Sequence, residues 1–452
     1  MRDFAYPKPE LLAPAGGWPQ LRAALAFGAD AVYLATDRFG MRARAVNFAL
    51  EDMPAVVAEA HGAGVKVHVT CNILMHDEDI AELPTYFEAL DAAGVDAFII
   101  ADMGAAAVAR QVAPRVALHV STQASVANAA AAEAWAALGA SRIVLAREMS
   151  LEQIAAMRAQ LDTDGFEQLE LEAFVHGAMC MAVSGRCLIS SYLTGRSGNA
   201  GHCTQPCRWN YDLAVSDAEE AFFAVTEEKR PGVFFPIEQD ARGSYILNAK
   251  DLNMLAHLDG LRQAGVASIK IEGRNKKALY VATVVNAYRH VLDGEAPEAW
   301  ESELECISHR PYSTGFYFGP AEQARDYEGY QQECLHVADV LACKTVQDGN
   351  STPVEYQVTV KCHNRVFAGE ELEVLEPGKA VSKLVVREPA WLPFEEDGSP
   401  AEPVPVEVAN RATDLYRILS PMPIGPGSLL RRREFRRTSR VIPPETVETP
   451  GQ

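Results

Sequence analysis

The first 275 residues repeat one phrase: an Ala-rich amphipathic stretch, then Gly with a small or acidic residue, then a short apolar run. The runs are ELLAPAG at Glu10, GADAVYLA at Gly28, GVKVHVTCN at Gly64, GVDAFIIAD at Gly94, VALHVSTQ at Val116, GASRIVLARE at Gly139, LELEAFVHG at Leu169 and GVASIKIEGR at Gly265. Short continuous apolar runs that alternate with helical segments mark parallel strands covered by helices. Eight such units predict an α/β chain built on a closed (β/α)8 TIM-like barrel. A doubly wound open sheet has the same periodicity and stays open as a reading, because pattern alone does not say whether the first strand meets the last.

A closed barrel gathers its chemistry at the C-terminal ends of its strands, where the loops converge on one mouth. Those ends are polar here: Asn72, Asp102, Gln123, Arg147 with Glu148, His176, and Glu272 with Arg274 each follow an apolar run. Asp102, His176 and Glu272 are the candidate catalytic groups. Each has a plainer reading as a cap or a loop hydrogen bond.

The cysteine window begins where the seventh run ends. Cys180, Cys187, Cys203 and Cys207 are spaced C-x6-C-x15-C-x3-C between Gly- and Ser-rich loops. Structural zinc sites usually pair their cysteines as two short knuckles, and only Cys203 and Cys207 fit that pattern. Uneven spacing suits an iron–sulfur cluster, which draws ligands from separate turns. Structural zinc, four unrelated core thiols and disulfides are the other readings of these residues. Cys71, Cys306, Cys334, Cys343 and Cys362 show no ligand spacing and read as core or surface thiols.

With 452 residues and 48% hydrophobic content, the chain is long enough for two or three domains with sizeable cores. The start MRDFAYPKPELLAPAG lacks a basic segment followed by an apolar stretch, and no apolar run approaches the ~20 residues that span a bilayer. The expectation is a cytoplasmic protein without membrane contact, whose nine cysteines stay reduced. A formal charge of −20 opposes non-specific attraction to nucleic acid, so any such contact has to be local. The clearest basic patch is LLRRREFRRTSR, where Arg431, Arg432, Arg433, Arg436, Arg437 and Arg440 surround Phe435. It reads either as a strand's solvated face or as a strip that binds phosphates.

The barrel is expected over residues 1–310, with the cysteine window at 180–207 and an acidic insertion at 210–243 that reads as a lid, a partner surface or a plain excursion. KKALYVATVVNAYRHVLDG closes it as a long helix ending at Gly294. A linker at 311–333 leads to short alternating runs, read as a small antiparallel β-barrel domain over 334–440, and 441–452 reads as a disordered tail.

Glu172, Phe174, Gly177, Cys180, Gly185, Cys187 and Ser190 match in order the signature of a collagenase-like family of peptidases of unassigned mechanism. ELLAPAG, HVSTQ, VLAREMSLEQI, CTQPCRW, LNAKDL, SIKIEGR and HRPYSTGF extend the match over nearly the whole chain, and they resemble its bacterial tRNA-hydroxylating branch. The resemblance implies oxygen-independent synthesis of 5-hydroxyuridine at the wobble uridine of tRNA, with prephenate as hydroxyl donor and a 4Fe-4S cluster on Cys180, Cys187, Cys203 and Cys207. Sister members hydroxylate a ribosomal RNA cytidine or the ubiquinone ring. An electron donor or partner protein is a further expectation. Prephenate bears two carboxylates, for which Arg42, Arg147 and Arg274 are the candidate guanidinium partners. Arg432, Arg433, Arg436 and Arg437 are the candidates for RNA phosphates, and Tyr192 or Trp209 for stacking on the base. Two other functions remain: a peptidase with Cys180 as nucleophile and His176 as base, and a zinc-bound scaffold that holds RNA or a partner enzyme.

Overall fold

The computed structural model describes residues 6–41, 47–179, 190, 196, 202, 204, 250–319, 321, 330–346, 355–394, 401–412 and 414–438, with five short strands between 211 and 244. The tail 441–452 lies outside the described residues. The chain divides into two compact units, one of Met1–Leu21, Ala29–Lys276 and Tyr312–Arg325, the other of Arg22–Gly28, Lys277–Pro311 and Asp326–Gln452.

The first unit is the barrel. Strands β1 (Glu10–Pro14), β2 (Ala31–Leu34), β3 (Lys66–Cys71), β4 (Ala97–Ile100), β5 (Ala117–Val120), β6 (Arg142–Val144) and β7 (Glu170–Gly177) pair in sequence order, all parallel. Five short strands follow, β8 (Tyr211–Val215), β9 (Phe223–Glu227), β10 (Phe234–Ile237), β11 (Gln239–Asp240) and β12 (Gly243–Ser244); the first three form an antiparallel sheet within the insertion. After β13 (Asp251–Asn253) comes β14 (Ser268–Ile271), which pairs with β1 on one side and β7 on the other. That double pairing closes the barrel, as the eight runs predict, and excludes the open sheet. The sequence reading did not single out β13 or β15 (Tyr312–Ser313): β13 lies antiparallel on the end of β7, and β15 pairs parallel with β13.

The repeated phrase has a physical reason at each position. Gly28, Gly64, Gly94, Gly139 and Gly265 all sit at positive φ, 75 to 95°, where the chain leaves a helix and enters a strand. The acidic residue two places on fixes register: Asp30 accepts the Leu11 N–H at 2.8 Å and Asp96 the Val67 N–H at 2.7 Å. Helices start on side-chain caps, from Asp102 at Met103–Val112, Asn128 at Ala129–Ala137 and Ser150 at Leu151–Thr163, the last closed reciprocally by Gln153.

Inside the barrel, below the mouth, lies a charged layer. Arg142 Nη1 bonds Glu10 at 2.6 Å and Glu172 at 3.2 Å, Arg142 Nε bonds Glu170 at 2.7 Å, and Lys270 Nζ bonds Glu172 at 2.8 Å. His68 and His119, both buried, meet edge to face at 4.8 Å in the same interior. Burial opposes ionisation of Glu10, but the Arg142 guanidinium holds its carboxyl down at about 2. Burial pushes His68 down to about 4 and His119 well below the ordinary imidazole range.

The second unit carries the helices Ala278–Leu292 and Glu301–Leu304 and an eight-stranded antiparallel sheet. The strands of this unit are β16 (Tyr330–Val346), β17 (Glu355–Cys362), β18 (Val366–Phe367), β19 (Glu371–Leu375), β20 (Ser382–Val385), β21 (Arg387–Trp391), β22 (Val404–Pro405), β23 (Val408–Ala409), β24 (Leu415–Ser420) and β25 (Leu429–Thr438). The sheet order is β20-β19-β25-β16-β17-β24-β21-β22, with β18 and β23 paired separately. Alternate residues point inward, Val358 and Val360 on β17 and Tyr416 and Ile418 on β24, and meet Val337, Leu372, Val374, Leu384 and Leu430 in one core. This is the antiparallel β domain expected from the sequence. No helix among the described residues is long and apolar enough to cross a membrane.

Because His68 and His119 hold folded pKa values below those of an unfolded chain, about 6.5, acid protonates the unfolded state first. Stability is complete above about pH 6.5 and falls towards pH 4, by up to about 1.4 kcal/mol per pH unit for each histidine. An NMR titration should give His68 a midpoint near 4, with His119 well below the ordinary imidazole range. A His68 midpoint near 6.5 would contradict the buried layer.

Candidate active site at the barrel mouth

The residues that end the barrel strands converge in three groups. The first is built on β14 and β3. Arg274, three residues beyond β14 and buried, donates from Nη1 to Thr70 Oγ1 at 2.9 Å. A glycine makes the room: a Cβ on Gly16 would stand 1.9 Å from the Arg274 carbonyl oxygen, while Gly40, whose Cβ would meet that of Ala35 at 2.6 Å, lies beside Arg274 Nη1 and Thr70 Oγ1. Gly40 follows Phe39, whose φ of 59° is an uncommon left-handed conformation for a bulky residue.

The second group joins β6, β7 and β14. The Arg147 guanidinium lies over the Phe174 ring at 3.8 Å, donates to the Ala178 carbonyl at 3.0 Å and stands 3.7 Å from the Glu272 carboxylate. Tyr33 donates to the Ile271 carbonyl at 2.9 Å, with Glu272 at 3.5 Å. Lys270 Nζ lies 4.4 Å from the Tyr33 ring and 5.5 Å from that of Phe174, so this group rests directly on the charged layer. His176 is buried at the end of β7 and its ring meets Tyr312 at 5.5 Å; its backbone oxygen accepts the Glu272 N–H at 2.9 Å. Tyr317 donates to the Phe174 carbonyl at 2.6 Å. The HRPYSTGF stretch and the residue that follows it thus bring Tyr312 and Tyr317 to the mouth.

The third group follows β3 and β5. Asn72 Nδ2 donates to Ser121 Oγ at 3.1 Å, while Asn72 Oδ1 and Gln123 Oε1 are buried oxygens without a hydrogen-bond partner among the described residues. Ser125 beside them sits at φ 55°. Buried acceptors left unpaired are costly, by about 1–3 kcal/mol each, and a donor supplied by a ligand removes that cost.

The structure therefore brings together Arg147 and Glu272, sets His176 beside Glu272 along the backbone, and gives Arg274 its own pocket floor. Asp102 is different: its Oδ1 caps the helix Met103–Val112 by accepting the Ala105 N–H at 2.9 Å. Arg42 and Cys180, Cys187, Cys203 and Cys207 lie outside the described residues, as do Tyr192 and Trp209. Around the window, β7 ends at Gly177, three residues before Cys180. Ser190 Oγ accepts the Thr204 N–H at 3.0 Å and donates to the Arg196 carbonyl at 2.8 Å, so these three described residues of the window are tied together. Thr70, Tyr33 and Lys270 were missed in sequence because they lie inside apolar runs. Their signal is a polar atom at an inward position of a barrel strand.

In the second unit, Arg431 is fully buried and paired with Glu303 at 2.7 Å and Glu373 at 2.8 Å. Arg432 pairs with Glu370, and Arg433 with Glu333 at 2.7 Å and Glu373 at 2.9 Å. Arg436 and Arg437 lie on β25, their side chains outside the described residues.

The chain belongs to peptidase family U32, whose model matches residues 16–326. A Bacillus subtilis protein named tRNA hydroxylation protein P1 is 36% identical over 383 residues, 82% of this chain and 84% of that protein. The Escherichia coli tRNA hydroxylation protein P is 36% identical over 405 residues, 82% of this chain and 86% of that one. An Escherichia coli 23S rRNA 5-hydroxycytidine synthase is 38% identical over 284 residues, 63% of this chain and 39% of that one.

The clearance at Gly16 is testable. Gly16→Ala must push back a backbone oxygen, so it should lower stability by about 2 kcal/mol or more and displace Arg274. Gly62→Ala meets nothing within 4 Å and should be neutral or stabilising by up to about 1 kcal/mol. Denaturant midpoints for the two variants check this, and equal stabilities would contradict the packing at Arg274.

Proposed function

We propose that the chain is a tRNA hydroxylase that converts the wobble uridine to 5-hydroxyuridine without molecular oxygen, with prephenate as donor and a 4Fe-4S cluster held by Cys180, Cys187, Cys203 and Cys207. The observation that carries the reading is the mouth itself, where guanidinium groups, an aromatic face and amide oxygens without a partner among the described residues lie at the strand ends, beside the start of the cysteine window. The names of the relatives supply the substrate class.

The donor set fits a cluster: four thiols are the ligands such a cluster takes, and within the same window Ser190 bonds Thr204. When bound, the cluster supplies an electron-accepting or Lewis-acidic centre. The chain's own residues do the rest. Arg274 and Arg147, with Arg42 from the loop after β2, hold the two donor carboxylates. The uracil ring presents an N3–H that Asn72 Oδ1 or Gln123 Oε1 accepts, so base entry satisfies an oxygen that has no partner among the described residues. The wobble base already lies in a loop, so its presentation costs only unstacking, a few kcal/mol. Loss of the C5 proton needs a base. His176 and Glu272 stand side by side for it, whereas Asp102 commits an oxygen to its helix. RNA phosphates are met by Arg436 and Arg437, since Arg432 and Arg433 already face carboxylates. A peptidase pairing of His176 with Cys180 is disfavoured: it needs helical spacing, and His176 lies in a strand.

Anaerobically purified protein should hold about four irons with acid-labile sulfide. Incubated with unmodified tRNA and prephenate, it should yield 5-hydroxyuridine by nucleoside mass spectrometry. Ala at any of the four cysteines should lower iron and abolish product, whereas Arg274→Lys should keep iron and lose product at low prephenate. Product formed equally well without prephenate, or by two of the cysteine variants, would contradict the reading.

A further inference from the structure

The second unit contains a thiol pair that hydroxylation does not use. Cys306 follows the helix Glu301–Leu304, and Cys334 lies in β16. The fold makes them backbone neighbours. Cys334 donates its N–H to the Cys306 carbonyl at 3.2 Å, Glu333 to that of Glu305 at 3.0 Å, and His309 and Gln331 exchange bonds at 3.1 and 2.9 Å. The pairing of β16 with β25 shifts register between Gln332 and Cys334. Both side chains are buried, and their sulfurs are 2.6 Å apart. Non-bonded carbon atoms sit best at about 3.5–4.0 Å from each other.

Two chemistries suit such a pair. A metal ion would need Glu373, whose Oε2 lies 3.9 Å from Cys334 Sγ. Both Glu373 oxygens are already held, Oε2 by Arg431 Nε at 2.8 Å and Oε1 by Arg433 Nε at 2.9 Å. Arg433 Nη2 also lies 3.4 Å from Cys306 Sγ. Glu373 thus has no oxygen left to offer an ion, and Arg431 and Arg433 favour thiolate at Cys334, the form that attacks a disulfide. We propose that Cys306 and Cys334 are a redox-active dithiol that closes to a disulfide by exchange with a low-molecular-weight disulfide. The Cys334 thiolate attacks one sulfur of RSSR, forming a mixed disulfide and releasing RS⁻. The Cys306 proton passes to that RS⁻. The Cys306 thiolate, beside Arg433, then attacks the Cys334 sulfur and releases the second RS⁻. Two protein thiols are oxidised and one RSSR is reduced to two thiols. The order follows the acidities: contact with Cys306 lowers the Cys334 thiol, and the same contact raises Cys306.

The full chain is incubated with oxidised glutathione, quenched with iodoacetamide in denaturant and mapped by peptide mass spectrometry. The expected product is a Cys306–Cys334 linked peptide that dithiothreitol abolishes, with Cys71 and Cys362 recovered alkylated. Cys306→Ser should instead accumulate a glutathione adduct on Cys334, because the resolving thiol is gone. Recovery of both cysteines as alkylated thiols in the oxidised wild type would overturn the proposal. So would one zinc per chain that is lost in Cys306→Ser.

Discussion

The interaction on which the barrel depends is the charged layer of Glu10, Arg142, Glu172 and Lys270. These residues come from β1, β6, β7 and β14, the strands on either side of the closure, so the layer fixes the register of the seam from inside. Burying two acids and two bases costs several kcal/mol per ion. The cost is offset only because each charge has a close partner. Burial alone would raise Glu172, but Lys270 and Arg142 hold it below the ordinary range. Removal of one partner leaves an uncompensated buried charge, which costs about 3–5 kcal/mol. A tightly matched apolar layer would serve stability as well. The charged one also places a cation, Lys270, under the aromatic floor of the mouth.

That arrangement links the closure of the fold to the site. Lys270 lies 4.4 Å from the Tyr33 ring and 5.5 Å from that of Phe174, and Arg147 lies over Phe174 at 3.8 Å. Two cations thus meet the aromatic rings beside Glu272 and His176. Loops, by contrast, carry the strain: Phe39 and Ser125 adopt left-handed backbone next to the pocket of Arg274 and next to Gln123.

The eight strands were legible because each is an apolar run that must be buried on both faces, and five of them follow a glycine that must turn. The antiparallel domain was legible from alternation. What was hidden has a common cause: the sequence shows polarity but not direction. Glu10, Arg142 and Lys270 lie within apolar runs and point inward, where only three-dimensional pairing makes them tolerable. β13 and β15 have three and two residues, too few for any period to register. Arg431 sat in a run that reads as a solvated face or phosphate strip, yet it is fully buried because Glu303 and Glu373 meet it from elsewhere in the chain. Cys306 and Cys334, without ligand spacing, become neighbours only through the irregular entry into β16.

The central claim is that the target base enters the barrel mouth. A tRNA with 4-thiouridine at the wobble position, irradiated in complex with the anaerobic protein and digested, reports the contact by cross-linked peptide. The account predicts cross-links to the loops that end the barrel strands, 36–48, 72–76, 121–126, 147–149 and 272–276. Cross-links confined to β25 and its neighbours, with the mouth unlabelled, would contradict it.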